Sequence, residues 1–513
     1  MGNSEGFDGQ RYDVIVVGSG SAGAVVARRL VDRGDVRVLL LEAGGTDTNP
    51  AIHDVARMHE LWDGNDDWAI RTTPQVHAME RQLQWPRGRV LGGSSALNGM
   101  IWVRGNPLDF DMWAYAGNDG WTWADVKPVF EEIERFMEVR KDVKPDPFHQ
   151  AVIDAAVEAG IPFNPDYNGE SQLGISGMQY VIKDGTRNST ARAYLGAVLE
   201  HPNLTILTES TARRLVFKRD RCVGVEYERG GRTETAYADG EVVVSGGTIG
   251  SPGLLLASGI GPADELRALG IDVVADLPGV GRNLHDHLLS PIIYRSKEIP
   301  PATYGVPYMQ THLFAKSKPG LLVPDLQPLH FALPMYEPWM EPLSPTGFTL
   351  MAGMVRPQSR GTIKLAGRDP SDGLLIDAHA LEAQEDVDMI LAAIDIVRSI
   401  GEAGPLVDGW DAMELYPGPD VRSVEELTEY VRRTAITYHH QVGTCKMGVD
   451  VEAVVDPRLA VHGVQGLRVA DASIMPAVTT GNTHAPTVMI GERAAGWVAE
   501  ALSAGPAHAA ATA

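Results

Sequence analysis

Two histidines near the end of the chain stand in contexts suited to acid–base chemistry. One lies in Tyr438-His439-His440-Gln441-Val442-Gly443-Thr444, the other in Thr480-Gly481-Asn482-Thr483-His484-Ala485-Pro486-Thr487. An imidazole of ordinary pKa, ~6.5, can take a proton from a bound hydroxyl at neutral pH while a neighbour hydrogen-bonds the oxygen left behind. Such a base works faster as pH rises through its pKa. A lone histidine is more simply a satisfied core residue, so the question is which elements would bring these two together. His439 adjoins His440, and its ring is expected to point away from that of His440.

The strongest positioning element is at the other end of the chain. Val14 to Val17 is a short β-branched run, read as a buried strand, and Gly18, Gly20 and Gly23 follow with G-x-G-x-x-G spacing. Gly18 allows a tight turn, Gly20 lets backbone approach a pyrophosphate, and Gly23 lets the next helix sit close to the sheet. That helix is expected from Ser21 to Arg33, with Ser21 and Ala22 at its phosphate-facing start. A second strand, Val36 to Leu41, ends at Glu42 and Ala43. An acid ~20 residues past the glycines is placed to accept hydrogen bonds from an adenosine ribose. Further on, Trp85-Pro86-Arg87-Gly88-Arg89-Val90-Leu91-Gly92-Gly93-Ser94-Ser95-Ala96-Leu97-Asn98 gathers backbone N–H groups and hydroxyls suited to something flat or anionic.

With these stretches in hand, the sequence resembles the glucose-methanol-choline (GMC) family of flavin-dependent alcohol oxidoreductases. Gly88 to Gly105 is similar to that family's first signature. Gly247-Thr248-Ile249-Gly250-Ser251-Pro252, continuing to Ser258-Gly259-Ile260-Gly261, is similar to its second. Gly185 to Leu195 and Gly466 to Ser473 are similar to further family blocks, and the resemblance runs from about residue 11 to 500 in family order.

The resemblance implies an α/β fold: an FAD-binding Rossmann-like domain with a second, substrate-binding domain built on a large, mostly antiparallel sheet. The FAD-binding domain would take residues 1–158, 202–296 and 446–513, and the substrate domain residues 159–201 and 297–445. Cofactor contacts would come from Gly18, Gly20, Ser21, Ala22, Gly23, Glu42, Ala43, Arg89, Val90, Gly92, Gly93, Ser94, Asn98 and Gly99. Ala212, beside the adenine, Gly247, Asp471, Ala472, Asn482, Thr483 and Thr487 complete the set. Aligned on the following Val-Gly-Thr, His440 matches the family's catalytic base. Aligned on Met489-Ile490-Gly491-Glu492, His484 matches the partner position, which is His in some members and Asn in others. His330 falls where some relatives place a site histidine, and sheet packing explains it equally well. A helix starting near Pro486 would turn its positive N-terminus toward the flavin pyrimidine. Hydride would pass to the flavin, and O2 or a quinone would take the electrons onward.

Two departures from choline-oxidising relatives bear on chemistry. Leu97 stands where they carry the histidine that tethers FAD, so the flavin is expected to be non-covalent. Leu289 replaces a glutamate that pairs with the quaternary ammonium, and a buried cation without a counter-charge is costly. A small neutral alcohol is therefore expected, with Phe314, Phe331, Met335, Tyr336, Trp339, Phe348 and Met351 as candidate pocket residues.

The net charge of −23 over 513 residues argues against nucleic acid and anionic membranes as partners. Cys222 and Cys445 make no disulfide framework or metal site. Without an apolar leader or span, the chain reads as cytoplasmic, with a disordered tail over its last ten residues. Competing readings are a hydroxynitrile-lyase-like member with a non-redox flavin and a flavoprotein without catalysis. A serine hydrolase is excluded, because the only G-x-S-x-G, Gly2 to Gly6, lacks a strand and helix around it.

Overall fold

The computed structural model describes residues 7–300 and 305–504. The terminal tail and the Gly2 to Gly6 stretch lie outside them. Arg11–Val17 forms the centre of a seven-stranded sheet in the order Leu204–Leu207, Val38–Leu41, Arg11–Val17, Arg232–Val244, Arg221–Arg229, Ser210–Lys218, with Leu467–Val469 also paired to Arg232–Val244. Leu204–Leu207, Val38–Leu41, Arg11–Val17, the second half of Arg232–Val244 and Leu467–Val469 run parallel. Val14, Val16, Val38, Leu40 and Val242 to Val244 are wholly buried, which is why these strands read as continuous apolar runs. Arg232–Val244 changes character along its length. Its first half pairs in an antiparallel ribbon, and from Tyr237 onward it pairs parallel with Arg11–Val17, its last three residues buried in the core.

The helix after the first strand spans Gly23–Val31, shorter at both ends than expected. It packs against the C-terminal helix His484–Ala504, and glycine makes the approach possible: a Cβ at Gly491 would sit 2.8 Å from the Ala22 carbonyl oxygen. Arg29 then clamps Glu492 with two hydrogen bonds of 2.8 and 2.9 Å. The beginning and end of the sequence thus form one layer, setting Ser21 beside His484.

The second sheet is antiparallel, in the order Met413–Tyr416, Leu288–Arg295, Gly347–Met354, Leu329–Phe331, Met309–Phe314, Gly174–Gly177. Ile436–Thr437 pairs with the start of Leu288–Arg295 and delivers the chain to His440. The expected domain crossing at residue 296 falls too late, since Leu288–Arg295 is hydrogen-bonded on both edges inside this second sheet. All eight residues of Gly347–Met354 are buried. Phe348, Leu350, Ala352 and Met354 join Val387, Ile390 and Ile394 of the helix Gln384–Gly401 in one apolar cluster. Met351, with Phe314, Phe331, Leu289 and Tyr438, belongs to the cluster on the opposite face.

That alternation sorts the candidate pocket residues. Phe314, Phe331 and Met351, with Met335 packed against them, share the cluster of Tyr438. Phe348 stacks on Tyr294 at 5.1 Å in the other cluster, Tyr336 packs there too, and Trp339 is exposed beneath Arg433. A period of two decides which side chains face inward, and only strand boundaries reveal its phase. No helix among the described residues is long and apolar enough to cross a membrane.

Candidate active site

His440 is held by the segment between Thr437 and Gln441. His439 adopts a left-handed backbone conformation, φ 66°, which turns the chain so that adjacent rings diverge. The His439 ring meets Trp62 at 5.1 Å, while the His440 ring stacks on Tyr438 at 4.6 Å and meets His287 edge-on. A non-glycine residue held in this region costs on the order of 1 kcal/mol or more and persists only where its surroundings hold it. Here the surroundings are specific. Thr437 Oγ1 accepts the His439 N–H at 2.7 Å, Asp286 Oδ1 accepts the His440 N–H at 2.9 Å, and Arg87 donates to the His439 carbonyl at 2.8 Å. Asp286 Oδ2 also accepts from Gln441 Nε2 at 2.7 Å and from the Thr437 hydroxyl. Burial pushes the Asp286 carboxyl up to about 6 and the Arg87 guanidinium down to about 10, each moderated by the other's charge.

The two ring nitrogens of His440 have separate partners. Nδ1 lies 3.0 Å from His287 Nδ1, and Nε2 lies 3.1 Å from Asn482 Nδ2. An amide NH2 only donates, so His440 Nε2 is the acceptor and Nδ1 carries the proton toward His287. Burial, with the neighbouring His287, His439 and Arg87 adding to it, holds the His440 pKa well below the usual histidine value. The imidazole is therefore neutral with its Nε2 lone pair available. His285 is a neutral staple with the same tautomer: its Nδ1–H donates to the Asn283 carbonyl at 2.6 Å and its Nε2 accepts the Val478 N–H at 2.9 Å.

The structure places Asn482 in hydrogen-bond contact with His440 and sets His484, the partner expected from the sequence, against Ser21. The segment before Asn482 is fixed by Asp109, which accepts the Thr480 N–H at 2.6 Å, and by Gln172, which donates to the Thr480 carbonyl at 2.9 Å. Gly481, at φ 121°, has no room for a side chain, since a Cβ would come within 2.5 Å of Val103. His484 begins the C-terminal helix two residues later and makes no hydrogen bond to His440. Its Nδ1 lies 3.0 Å from Ser21 Oγ, its ring meets Trp102 edge-on at 5.9 Å, and burial, with Arg187 assisting, lowers its pKa to about 4. Asn482, expected in the cofactor cradle, is the residue the fold brings to His440. Asn482 and His484 are separated by the start of the C-terminal helix, so the two side chains meet different partners.

Of the residues expected to hold a cofactor, Gly18 and Glu42 directly follow the parallel strands Arg11–Val17 and Val38–Leu41, and Gly247 follows Arg232–Val244. Gly18, at φ 95°, packs on Ser245, and a Cβ at Gly23 would strike the Gly18 carbonyl at 1.9 Å. Gly93, at φ 52°, faces Gly20 so closely that a Cβ would lie 2.7 Å from the Gly20 Cα. Glu42 is buried; its oxygens accept from the Ser19 N–H at 3.1 Å, the Ser19 hydroxyl at 2.5 Å and the Gly44 N–H at 2.8 Å, and a ribose hydroxyl could take the place of the Ser19 hydroxyl. Glu42 O accepts the Ser210 N–H at 2.8 Å, bringing the strand that carries Ala212 alongside. Ser94 Oγ accepts the Gly88 N–H at 3.1 Å, and Asn98 Oδ1 accepts from Met100 N–H and Arg187 Nη1, both at 2.9 Å. Arg187 is buried with no acid against it and with Nη2 unpartnered. Glycine-lined backbone, a buried ribose-type acid and a buried cation form a donor set that fits a dinucleotide.

Three expected members are otherwise engaged. The Asp471 carboxylate accepts from Gly247 N–H at 2.9 Å, Ser251 Oγ at 2.5 Å and Ser473 N–H at 2.8 Å, so it caps the helix Gly247–Ala257. Thr487 Oγ1 donates to the Thr483 carbonyl at 2.7 Å, and the Arg89 guanidinium lies over Trp68. His330 is buried within the second sheet, its Nδ1 3.0 Å from Thr311 Oγ1.

With this geometry in place, comparison with known proteins settles the class. A family model described as GMC oxidoreductase matches residues 12–289, and its C-terminal counterpart matches 357–491. The chain belongs to the GMC oxidoreductase family. It is 39% identical to an alcohol dehydrogenase [acceptor] of Pseudomonas putida, over 94% of this chain and 95% of that one. It is also 39% identical to the mitochondrial choline dehydrogenase of Mus musculus, over 94% and 89%. The crystal structure of pyridoxine 4-oxidase from Mesorbium loti superposes with a TM-score of 0.88 at 33% identity, covering 94% of this chain and 98% of that one. The fold is that of the FAD-dependent members, and the protein is an oxidoreductase of the alcohol oxidase or dehydrogenase kind.

Proposed function

We propose that this protein oxidises the CH–OH group of a small neutral alcohol, with His440 as base and Asn482 as its partner. The carrying observation is the part-buried His440–Asn482 contact of 3.1 Å, in which a neutral Nε2 lone pair meets an amide donor that a substrate hydroxyl can replace. A substrate hydroxyl placed between them would give its proton to Nε2 while Asn482 Nδ2 hydrogen-bonds the developing alkoxide. FAD, when bound, supplies the hydride acceptor that side chains lack. Asp286 and Thr437 keep the His440 ring fixed, and Tyr438 covers one of its faces.

The substrate's character follows from the face opposite. Leu289 is buried beside Gly353 and Tyr438: a Cβ at Gly353 would lie within 2.8 Å of Leu289 and 3.0 Å of Tyr438. Asp286 is committed to three donors of the 437–441 segment, which engage the carboxylate nearest His440 and turn it away from the role of counter-charge to a quaternary ammonium. Pyridoxine 4-oxidase, by its name, acts on an alcohol carried by an aromatic ring, and Phe314, Phe331 and Met351 suit that class. An anaerobic screen of benzyl alcohol, pyridoxine, medium-chain alkanols and choline tests the reading through flavin bleaching. Aromatic or aliphatic alcohols should bleach more efficiently than choline, and Leu289→Glu should shift the ratio toward choline by about tenfold or more, the worth of one charge-assisted contact. Choline as the best wild-type substrate would overturn it. Bleaching by no alcohol, with turnover of a cyanohydrin, would instead place the protein with the lyases.

Non-covalent FAD is part of the same proposal. Leu97 is buried among Ala51, Ile52, Leu61, Val90 and Ala96 and offers no nucleophile. Acid precipitation of yellow holoprotein should release all FAD into the supernatant; flavin remaining in the pellet would contradict this.

A further inference from the structure

His440 can act as a base only if the Asn482 amide faces it with nitrogen rather than oxygen. The two ends of an amide have nearly the same shape, so hydrogen bonds decide which end faces the ring. If Asn482 Oδ1 faced His440, Nε2 would have to carry the proton, and the lone pair would be lost from the atom that needs it. The deciding contact comes from Gln327, wholly buried, whose Nε2 donates to Asn482 Oδ1 at 3.0 Å. The same Nε2 lies 3.1 Å from Nδ1 of His312, itself packed edge-on to Tyr167 at 4.3 Å and to Phe314 at 5.0 Å. Gln327 is anchored at its backbone as well. Its N–H donates to the Gly353 carbonyl at 2.9 Å, and its carbonyl accepts the Tyr438 hydroxyl at 2.8 Å. Tyr438 is the residue stacked on His440.

We propose that Gln327 is a positioning residue that sets the polarity of a hydrogen-bond chain, His312–Gln327–Asn482–His440–His287, buried at every member but the part-buried Asn482, so that His440 presents a lone pair to substrate. Each member has one alternative, and the alternatives are linked. Turning the Gln327 amide presents Oε1 to Asn482, which turns its own amide and presents Oδ1 to His440. The base then becomes a donor and His287 must donate to its Nδ1. Linked hydrogen bonds reinforce one another in a low-dielectric interior, so the chain switches as a unit. Gln327 Oε1 is buried and unpartnered in the observed state. That cost is tolerated in exchange for the direction of the chain. The inference rests on His440 being the base.

The test uses Gln327→Glu and Gln327→Met in FAD-loaded protein, with His440→Ala alongside. Ionised Glu can only accept, so it enforces the reversed polarity; protonated, it can donate to Asn482 Oδ1 and preserve the original one. Gln327→Glu should therefore bleach anaerobically at near wild-type rate in acid and lose about tenfold or more as pH rises, opposite to the parent. Gln327→Met should slow bleaching at every pH with little change in apparent substrate affinity. Nitrogen NMR of histidine-labelled protein should show His440 with Nδ1–H in the parent and Nε2–H in ionised Gln327→Glu. Unchanged rates, pH profiles and His440 tautomer in both variants, with His440→Ala slow, would overturn the inference alone. A fast His440→Ala would overturn the reading beneath it. FAD content and far-ultraviolet circular dichroism near those of the parent show that a loss is not misfolding; a variant that fails to fold leaves the other to decide, as each predicts a different pH profile.

Discussion

His440→Ala is expected to slow anaerobic flavin bleaching by about 10²–10⁴, the worth of a positioned general base. FAD content should stay at the parent level, since His440 lies with Tyr438, His287 and Asn482 and not among the glycines expected to meet the dinucleotide. The pH dependence carries the stronger signature. The sequence suggested a rate rising with pH around neutrality, as for an imidazole of ordinary pKa. Burial lowers the His440 pKa well below that value, so the base is already deprotonated at pH 6.5. A base whose pKa is depressed loses activity only as pH falls through the depressed value. The parent rate should therefore be flat from about pH 6.5 upward and decline only in acid. His440→Ala should be slow throughout and lack the acid limb. Asn482→Ala should cost about 10–10², matching the loss of one hydrogen bond to a developing charge. His484→Ala should change bleaching far less and show itself in FAD affinity, because His484 bonds Ser21 at the start of the first helix. If His484→Ala matched His440→Ala at full FAD content, the assignment of Asn482 as partner would fail.

The parts of this design that were readable from sequence are those fixed by local chemistry. The parallel strands announced themselves as apolar runs, and the glycines were recognisable because spacing alone sets where backbone must approach backbone. The helix Gln384–Gly401 was plain from its apolar period. What stayed hidden depends on pairing over long range. Asp286, Thr437 and Gln441 form one network across about 150 residues of chain, as the 151-residue separation of Asp286 and Thr437 shows. A trace did exist in His285-Asp286-His287, three polar residues before an apolar strand, all three of them buried. Gln327 left no trace, because its role arises only where its strand-edge turn meets the Gly481 turn. Which of Asn482 and His484 reaches His440 was equally illegible, since it depends on the backbone conformation at Gly481, φ 121°, just before the helix begins.

Gly93→Ala is expected to strip the protein of FAD while leaving its fold recognisable. Two costs coincide at this position. Gly93 sits at φ 52°, where an L-residue is strained, and its added Cβ would lie 2.7 Å from the Gly20 Cα and 3.4 Å from the Gly20 nitrogen. Neither obstacle is the end of a flexible side chain. Relief therefore requires the loop at Gly93 to move away from the Gly18–Gly23 turn, the two strips of backbone expected to meet the cofactor phosphates. The loop is poorly placed to move, for Gly88 is pressed against the Gly93 carbonyl, where a Cβ would come within 2.2 Å, and Gly93 N–H donates to the Val90 carbonyl at 2.7 Å. A displacement of even half an ångström breaks hydrogen bonds that depend on that distance, and losing two or three of them corresponds to about 10²-fold or more in affinity. Titration of apoprotein with FAD should show that loss, with far-ultraviolet circular dichroism unchanged. Gly409→Ala serves as the control: it is exposed on the helix Gly404–Trp410, nothing lies within 4 Å of its added Cβ, and FAD affinity should be that of the parent. Parent-like FAD affinity in Gly93→Ala would mean that the Gly20–Gly93 approach is a packing contact and that the phosphates are held elsewhere.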